Sequence, residues 1–285
     1  MSFYEQGMQY FMRDRITDAY KAYSDGVEAG EVKCAYGLAH LLKHSRIVGK
    51  DEARATKLIA DNMEKLKALL DSGDTEAMLI YGAYNKDRQL IIKAAELGNA
   101  NAQYYCFLHF CDTEDEEMEW LKRAANQGHG KAQKSYAARL LDKGKIEEGI
   151  AWLNKAADQG FFRAMFALGH IYRWGKYGEQ DYKKAFDYYM KAARLGSAID
   201  QYYVGQCYRK GEGVEQSAEK AAEWYIKAAE QNCRPALIAL GECYYDGVGT
   251  ARDLHKAKEY YERAQELGYD CKTVLKKINA ELKKQ

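Results

Sequence analysis

The chain has 285 residues, with 43 lysines and arginines set against 42 aspartates and glutamates. That near-neutral balance excludes the overall basic surface on which nucleic-acid binding depends. A single proline, Pro235, and the lack of any Ser/Pro/Gly-rich tract exclude long flexible linkers, and the longest stretch without a charged residue, 97–111, is too short to cross a bilayer as a helix.

The opening MSFYEQGMQYFMRDR has no basic leader followed by an apolar run and a cleavage site, so it does not read as a signal peptide, and the expected location is the cytoplasm. A glycine at position 30 closes the first amphipathic stretch. The next segment is atypical, with a long second helix expected through KLIADNMEKLKALL and a close at Gly73. KAAELG, RAANQG and KAADQG then end three more helices at Gly98, Gly128 and Gly160. Thr113 and Glu116 form a capping box that starts a helix directly after Cys111 and Asp112.

Beyond Gly160 the chain repeats itself every 36 residues. Gly169, Gly205 and Gly241 coincide, as do Tyr172, Tyr208 and Tyr244, then Gly175, Gly211 and Gly247, and then Ala185, Ala221 and Ala257. The paired aromatics Tyr188-Tyr189, Trp224-Tyr225 and Tyr260-Tyr261 follow the same period, which is the mark of a stacked helical array. Each repeat reads as a hairpin. In helix A, Ala164, Leu168 and Tyr172 draw one stripe that ends at Gly175; in helix B, Ala185, Tyr188, Tyr189 and Ala192 draw another that ends at Gly196. Asp181, Ser217 and Asp253 stand where an N-cap of helix B belongs. A glycine inside helix A costs about 1 kcal/mol relative to alanine. The expected compensation is a close approach of the two backbones across Ala185, Ala192 and their counterparts.

The helix-B endings at Gly30, Gly73, Gly98, Gly128, Gly160, Gly196, Asn232 and Gly268 define eight hairpins, spaced by 43, 25, 30, 32, 36, 36 and 36 residues. The segment 271–285, with Val274, Leu275, Ile278 and Leu282 on one face, reads as a helix that caps the stack. The expected fold is therefore all-α, with about eight antiparallel helix pairs and a C-terminal capping helix. The expected organisation is one continuous solenoid, with irregular repeats over 1–98, regular ones over 99–268 and the cap over 269–285.

AMFALGHIYRWG, a short turn, and YKKAFDYYMKAARLG together resemble the Sel-one-like repeat, a relative of the tetratricopeptide repeat. The resemblance rests on Ala164, Leu168, Gly169, Tyr172, Gly175, Ala185, Tyr189, Lys191, Ala192, Ala193 and Gly196, and it recurs in the two repeats that follow. The chain departs from the pattern at Asp200 (alanine in the family), at Asn232 (glycine), and at Phe107 and Ala137, where the helix-A glycine is expected. The resemblance implies a right-handed superhelix whose concave face, lined by helix A, holds other proteins. Its members act as adaptors and scaffolds and not as enzymes, so no cofactor is expected.

By analogy with tetratricopeptide geometry, the groove residues are Arg163, Phe166, His170 and Arg173, then Ile199, Tyr202, Gln206 and Arg209, then Pro235, Ile238, Glu242 and Tyr245. The same register in the preceding repeat gives Lys131, Lys134, Ala138 and Leu141. Cations interleaved with aromatics suit a protein partner bearing acidic and apolar residues, because guanidinium binds carboxylate bidentately and aromatics anchor interfaces. The alternative is a regulatory or inhibitory subunit that embraces a folded enzyme or toxin.

The remaining motifs take structural readings. His40 and His44 have helical i, i+4 spacing but no third ligand nearby, so no metal site is expected. The GEGV and GVGT segments at Gly211 and Gly247 read as inter-helix turns, not phosphate loops, because no strand precedes them. Seven cysteines without a recurring pair read as free, mostly buried thiols. The acidic run from Asp112 to Glu119 suits a helix N-terminus.

Overall fold

The computed structural model describes residues 1–13, 15–45 and 47–284; Asp14 of the opening segment and Gln285 of the expected cap lie outside the described residues. Seventeen helices and no strand are present among the described residues, and they fall into two compact units, Met1–Phe161 and Phe162–Gln285. The first unit contains α1 (Phe3–Met12), α2 (Ile16–Glu28), α3 (Val32–His44), α4 (Glu52–Asp71), α5 (Thr75–Asn85), α6 (Arg88–Glu96), α7 (Ala100–His109), α8 (Glu114–Asn126), α9 (Gly130–Asp142) and α10 (Ile146–Asp158). The second contains α11 (Phe162–Trp174), α12 (Tyr182–Arg194), α13 (Ala198–Lys210), α14 (Ala218–Glu230), α15 (Arg234–Asp246), α16 (Leu254–Glu266) and α17 (Lys272–Leu282). Each odd-numbered helix up to α15 packs on the even-numbered one that follows, which makes the eight expected hairpins, and α17 packs on α16. Among the described residues no helix is long and apolar enough to cross a membrane.

The helix-B endings share one device. The residue at each of the eight endings has a left-handed backbone, and its N–H and that of the next residue fold back onto the last turn. At the close of α12, Gly196 N–H donates to Ala193 O and Ser197 N–H to Ala192 O, both at 3.1 Å. Asn232 does the same work with φ +57, since asparagine tolerates this conformation better than other side chains. The caps at Asp181, Ser217 and Asp253 accept from the backbone N–H three residues on, as the sequence requires. The box at Thr113 forms only in part: Thr113 Oγ1 accepts from Glu116 N–H, but the Glu116 carboxylate reaches past Thr113 to the N–H of Asp112.

The helix-A glycines have a different cause from the one expected. A Cβ on Gly169 would overlap the ring of Tyr189, and one on Gly205 that of Tyr225; Gly7 on α1 stands in the same relation to Tyr23 on α2. The glycine therefore opens a socket for the buried tyrosine of the paired helix, and the alanines of helix B fill the core beside it. A second glycine in the turns after α13 and α15 serves the join between hairpins. A Cβ on Gly213 would strike the carbonyl of Tyr182, and one on Gly249 that of Ala218, positions one period apart.

Buried glutamines tie successive hairpins together. The side-chain amides of Gln103, Gln133 and Gln201 donate to the carbonyls of Ala95, Ala125 and Ala193 at the end of the preceding helix B. Each in turn accepts from a glutamine just past its own helix B: Gln127, Gln159 and Gln231, at 2.8, 3.0 and 2.9 Å. These bonds satisfy backbone carbonyls that a helix end leaves open.

Asp200, the departure from alanine, is fully buried in the first turn of α13. Ser197 donates to its Oδ2, while Oδ1 has no hydrogen-bond partner. Burial lifts its carboxyl to about 7, against the smaller lowering effect of the Ser197 bond. The unfolded group titrates near its ordinary value of about 3.9, so the folded state holds an extra proton between that pH and about 7. The contribution of Asp200 to stability is thus greatest at low pH and is lost as pH rises through the folded value. Asp200→Ala should therefore stabilise the protein by roughly 2 kcal/mol at pH 8, the lost bond to Ser197 offsetting part of the gain. Urea unfolding from pH 4 to pH 8 should find this advantage growing with pH; a constant difference would contradict the burial argument.

Candidate functional site

In the second unit, α11, α13 and α15 carry three sets of the expected groove residues. Phe166 lies against His170, with ring centroids 4.3 Å apart, and both meet the ring of Tyr203 edge-on at 5.3 and 4.9 Å. Tyr203 also stacks on Tyr189 at 5.0 Å, which joins this aromatic group to the core. His170 is half-buried; burial first, and the nearby Arg173 second, hold its imidazole below the ordinary range. At neutral pH the group is therefore an uncharged, mostly apolar cluster.

Arg173 does not present a free charge. It is only 4% exposed, its guanidinium sits 5.6 Å from the Tyr203 ring centroid, and Nη2 is 2.7 Å from the carboxylate of Glu212 in the turn after α13. The structure thus turns the expected peptide-binding cation into an internal tie between two hairpins. Tyr203 and Glu212, which make this arrangement, are absent from the sequence-derived set. Their signal is a break in the repeat: Ala167 and Ala239 flank Tyr203 one period away, and Lys176 and Val248 flank Glu212.

The other groove residues form a half-exposed chain. Gln206 donates to Tyr202 Oη at 3.0 Å and accepts from Arg209 at 3.1 Å, while Arg209 reaches Glu242 on α15 at 3.2 Å. Gln206 is buried, whereas the ion pair is open to solvent. The hydroxyl of Tyr245 donates to Glu281 on α17, and that carboxylate also pairs with Arg252. Ile199 is exposed on α13, and Arg163 is exposed near the start of α11. A polar side chain in each turn fixes the last turn of helix A: Gln180 donates to Arg173 O, Gln216 to Arg209 O and Arg252 to Tyr245 O. The arrangement offers aromatic edges and paired polar groups to a ligand.

Lys131 and Lys134 lie on α9 in the first unit, both half-buried, and the Lys131 ammonium stands 4.2 Å from the ring centroid of Phe11. That contact spans from α9 to α1. Tyr4 on α1 likewise donates to Glu76 on α5, so the first helix of this unit reaches across to later hairpins. His40 packs edge-on against Phe11 and lies beside His44, which makes the histidine pair part of an aromatic group. All seven cysteines are free, five of them buried.

Comparison with known proteins gives this geometry a family. The Sel1 repeat family model matches residues 118–129, 138–161, 162–197, 198–233 and 234–269, together half of the chain. Among solved structures, c5321, a protective antigen present in uropathogenic Escherichia coli strains, is 29% identical with a TM-score of 0.65. That likeness covers 99% of this chain but only 64% of the antigen's chain. A Sel1 repeat protein from Oxalobacter formigenes shares the fold at 24% identity and a TM-score of 0.63, over 98% of this chain and 86% of the other. No curated protein matches the sequence. The last three family matches run end to end at the 36-residue period of the glycine-closed hairpins, and this chain belongs to the Sel1 repeat family.

Proposed function

We propose that the protein is a non-enzymatic adaptor that binds a segment of another protein on the helix-A face of its second unit. Sel1 repeat proteins are in general protein-interaction scaffolds. The observation that carries the reading for this chain is the placing of Phe166, Tyr202 and Tyr245 on the three helix-A elements α11, α13 and α15, with Ile199 exposed on α13. Aromatic side chains held by neighbours bind at low entropic cost and dominate interface energetics. With Arg173 buried against Glu212, the solvent-exposed cations of this face are Arg163 and Arg209, the latter paired with Glu242, and the apolar anchors lead. The free, mainly buried thiols suit a reducing compartment, which supports the cytoplasm as the place of action. The test is site-specific photo-cross-linking in cells from position 199 on α13, with position 223 on α14 as the control. Adducts to a partner are expected from position 199 alone.

A further inference from the structure

The first unit contains a cavity of about 400 Å³, lined mainly by α1, α3 and α5, with Tyr23 of α2, Ile59 of α4 and Tyr105 of α7. Its walls include six aromatic rings: Tyr4, Phe11, Tyr23, Tyr36, Tyr84 and Tyr105. A volume of this order lies within the roughly 300–1,000 Å³ of small-ligand sites, and an aromatic lining selects a large apolar group.

The charges around the cavity are unequally compensated. Glu76 is the one acidic residue in the lining, and its carboxylate already accepts from Tyr4 Oη at 2.6 Å and from the side-chain amides of Asn99 and Asn101 at 2.8 and 3.2 Å. Lys43 lies on the wall with its ammonium 5.9 Å from the Tyr84 ring centroid, and no carboxylate pairs with it among the described residues. His44 stands one residue further along α3, exposed at the same wall. A second ammonium, that of Lys131, stands over Phe11. Burial, with His44 and Lys131 adding to it, lowers His40 to about 4, so the inner wall itself stays neutral and apolar at physiological pH. The result is an apolar hole beside an uncompensated cation, which is complementary to an apolar group that carries a carboxylate.

We propose that this cavity binds the C-terminal residue of a partner polypeptide, its aromatic or large aliphatic side chain among the rings and its terminal carboxylate on Lys43. The site uses residues of the first unit only, so its failure would leave the reading of the α11, α13 and α15 face standing, and the reverse holds as well.

The test is fluorescence anisotropy on the full chain. The probes are a fluorescein-labelled hexapeptide ending in phenylalanine with a free carboxylate, the same peptide as its C-terminal amide, and N-acetyl-phenylalanine as competitor. The free acid is expected to bind at least tenfold more tightly than the amide. Lys43→Glu should weaken it at least tenfold, and Ala83→Trp, at an exposed lining position, should abolish it by filling the cavity. Both substitutions lie outside the buried core, and far-UV circular dichroism confirms that each variant is folded. Equal affinity for acid and amide, or no saturable binding of either, would overturn the proposal. N-acetyl-phenylalanine binding as tightly as the peptide would overturn a polypeptide as the source of the carboxylate.

Discussion

Arg173→Ala should lower the unfolding free energy by about 4 kcal/mol in urea titrations, because it strands a carboxylate that has little access to water. The Arg173 and Glu212 side chains are only 5% and 17% exposed, so water screens the pair weakly and cannot replace the lost partner. The same substitution at Arg209 should cost no more than about 1 kcal/mol, since Arg209 and Glu242 are 42% and 47% exposed. Residues one period apart, of the same type and on the same helix face, are thus expected to differ several-fold. The double variant Arg173→Met/Glu212→Val should regain most of the loss, because replacing both partners removes the buried charge altogether. A double variant no more stable than Arg173→Ala would indicate that the packing on Tyr203, and not the charge pair, carries the effect.

Gly205→Ala is expected to destabilise the protein by about 3 kcal/mol, even though alanine is the better helix former by about 1 kcal/mol. The added methyl would overlap the Tyr225 ring and come within 3.1 Å of Ala221 O. Tyr225 is fully buried and cannot swing away. Gly241→Ala should be milder, since the nearest atoms of Tyr261 stand 3.0 and 3.1 Å from the added carbon and small shifts relieve them. Combining Gly205→Ala with Tyr225→Leu should cost less than the sum of the two single substitutions, because the smaller side chain vacates the space that the methyl needs. Thermal unfolding of the four variants beside the parent protein checks the ranking.

The repeat architecture was open to reading from sequence because its punctuation is local. A glycine or asparagine after each helix B, and the Asp or Ser before each of the last three, act on the backbone beside them, so their period reports the elements directly. The long α4, from Glu52 to Asp71, was visible in the same way. What escaped lies between hairpins. The glycine sockets pair with tyrosines about twenty residues on, and the period aligns both without saying that they touch. The glutamine ties did leave a trace, since Gln103, Gln133 and Gln201 each have a glutamine past the following helix, whereas Met165 and Leu237 have Leu195 and Leu267 there. At the candidate site, analogy placed Arg173 on the binding face because a register assigns direction but not burial. Glu212 neutralises it from the next turn, and only the break in the repeat at Tyr203 and Glu212 marks the spot.

The central claim, that the helix-A face of the second unit holds a partner protein, is tested most directly by photo-cross-linking from positions 199 and 223 in living cells. Ile199 stands exposed on α13, and Glu223 stands exposed on α14. The account predicts a discrete adduct from position 199 that disappears when Arg209→Glu and Arg163→Glu are introduced together, and none from position 223. Adducts from position 223 alone, or an adduct at 199 indifferent to both charge reversals, would contradict it.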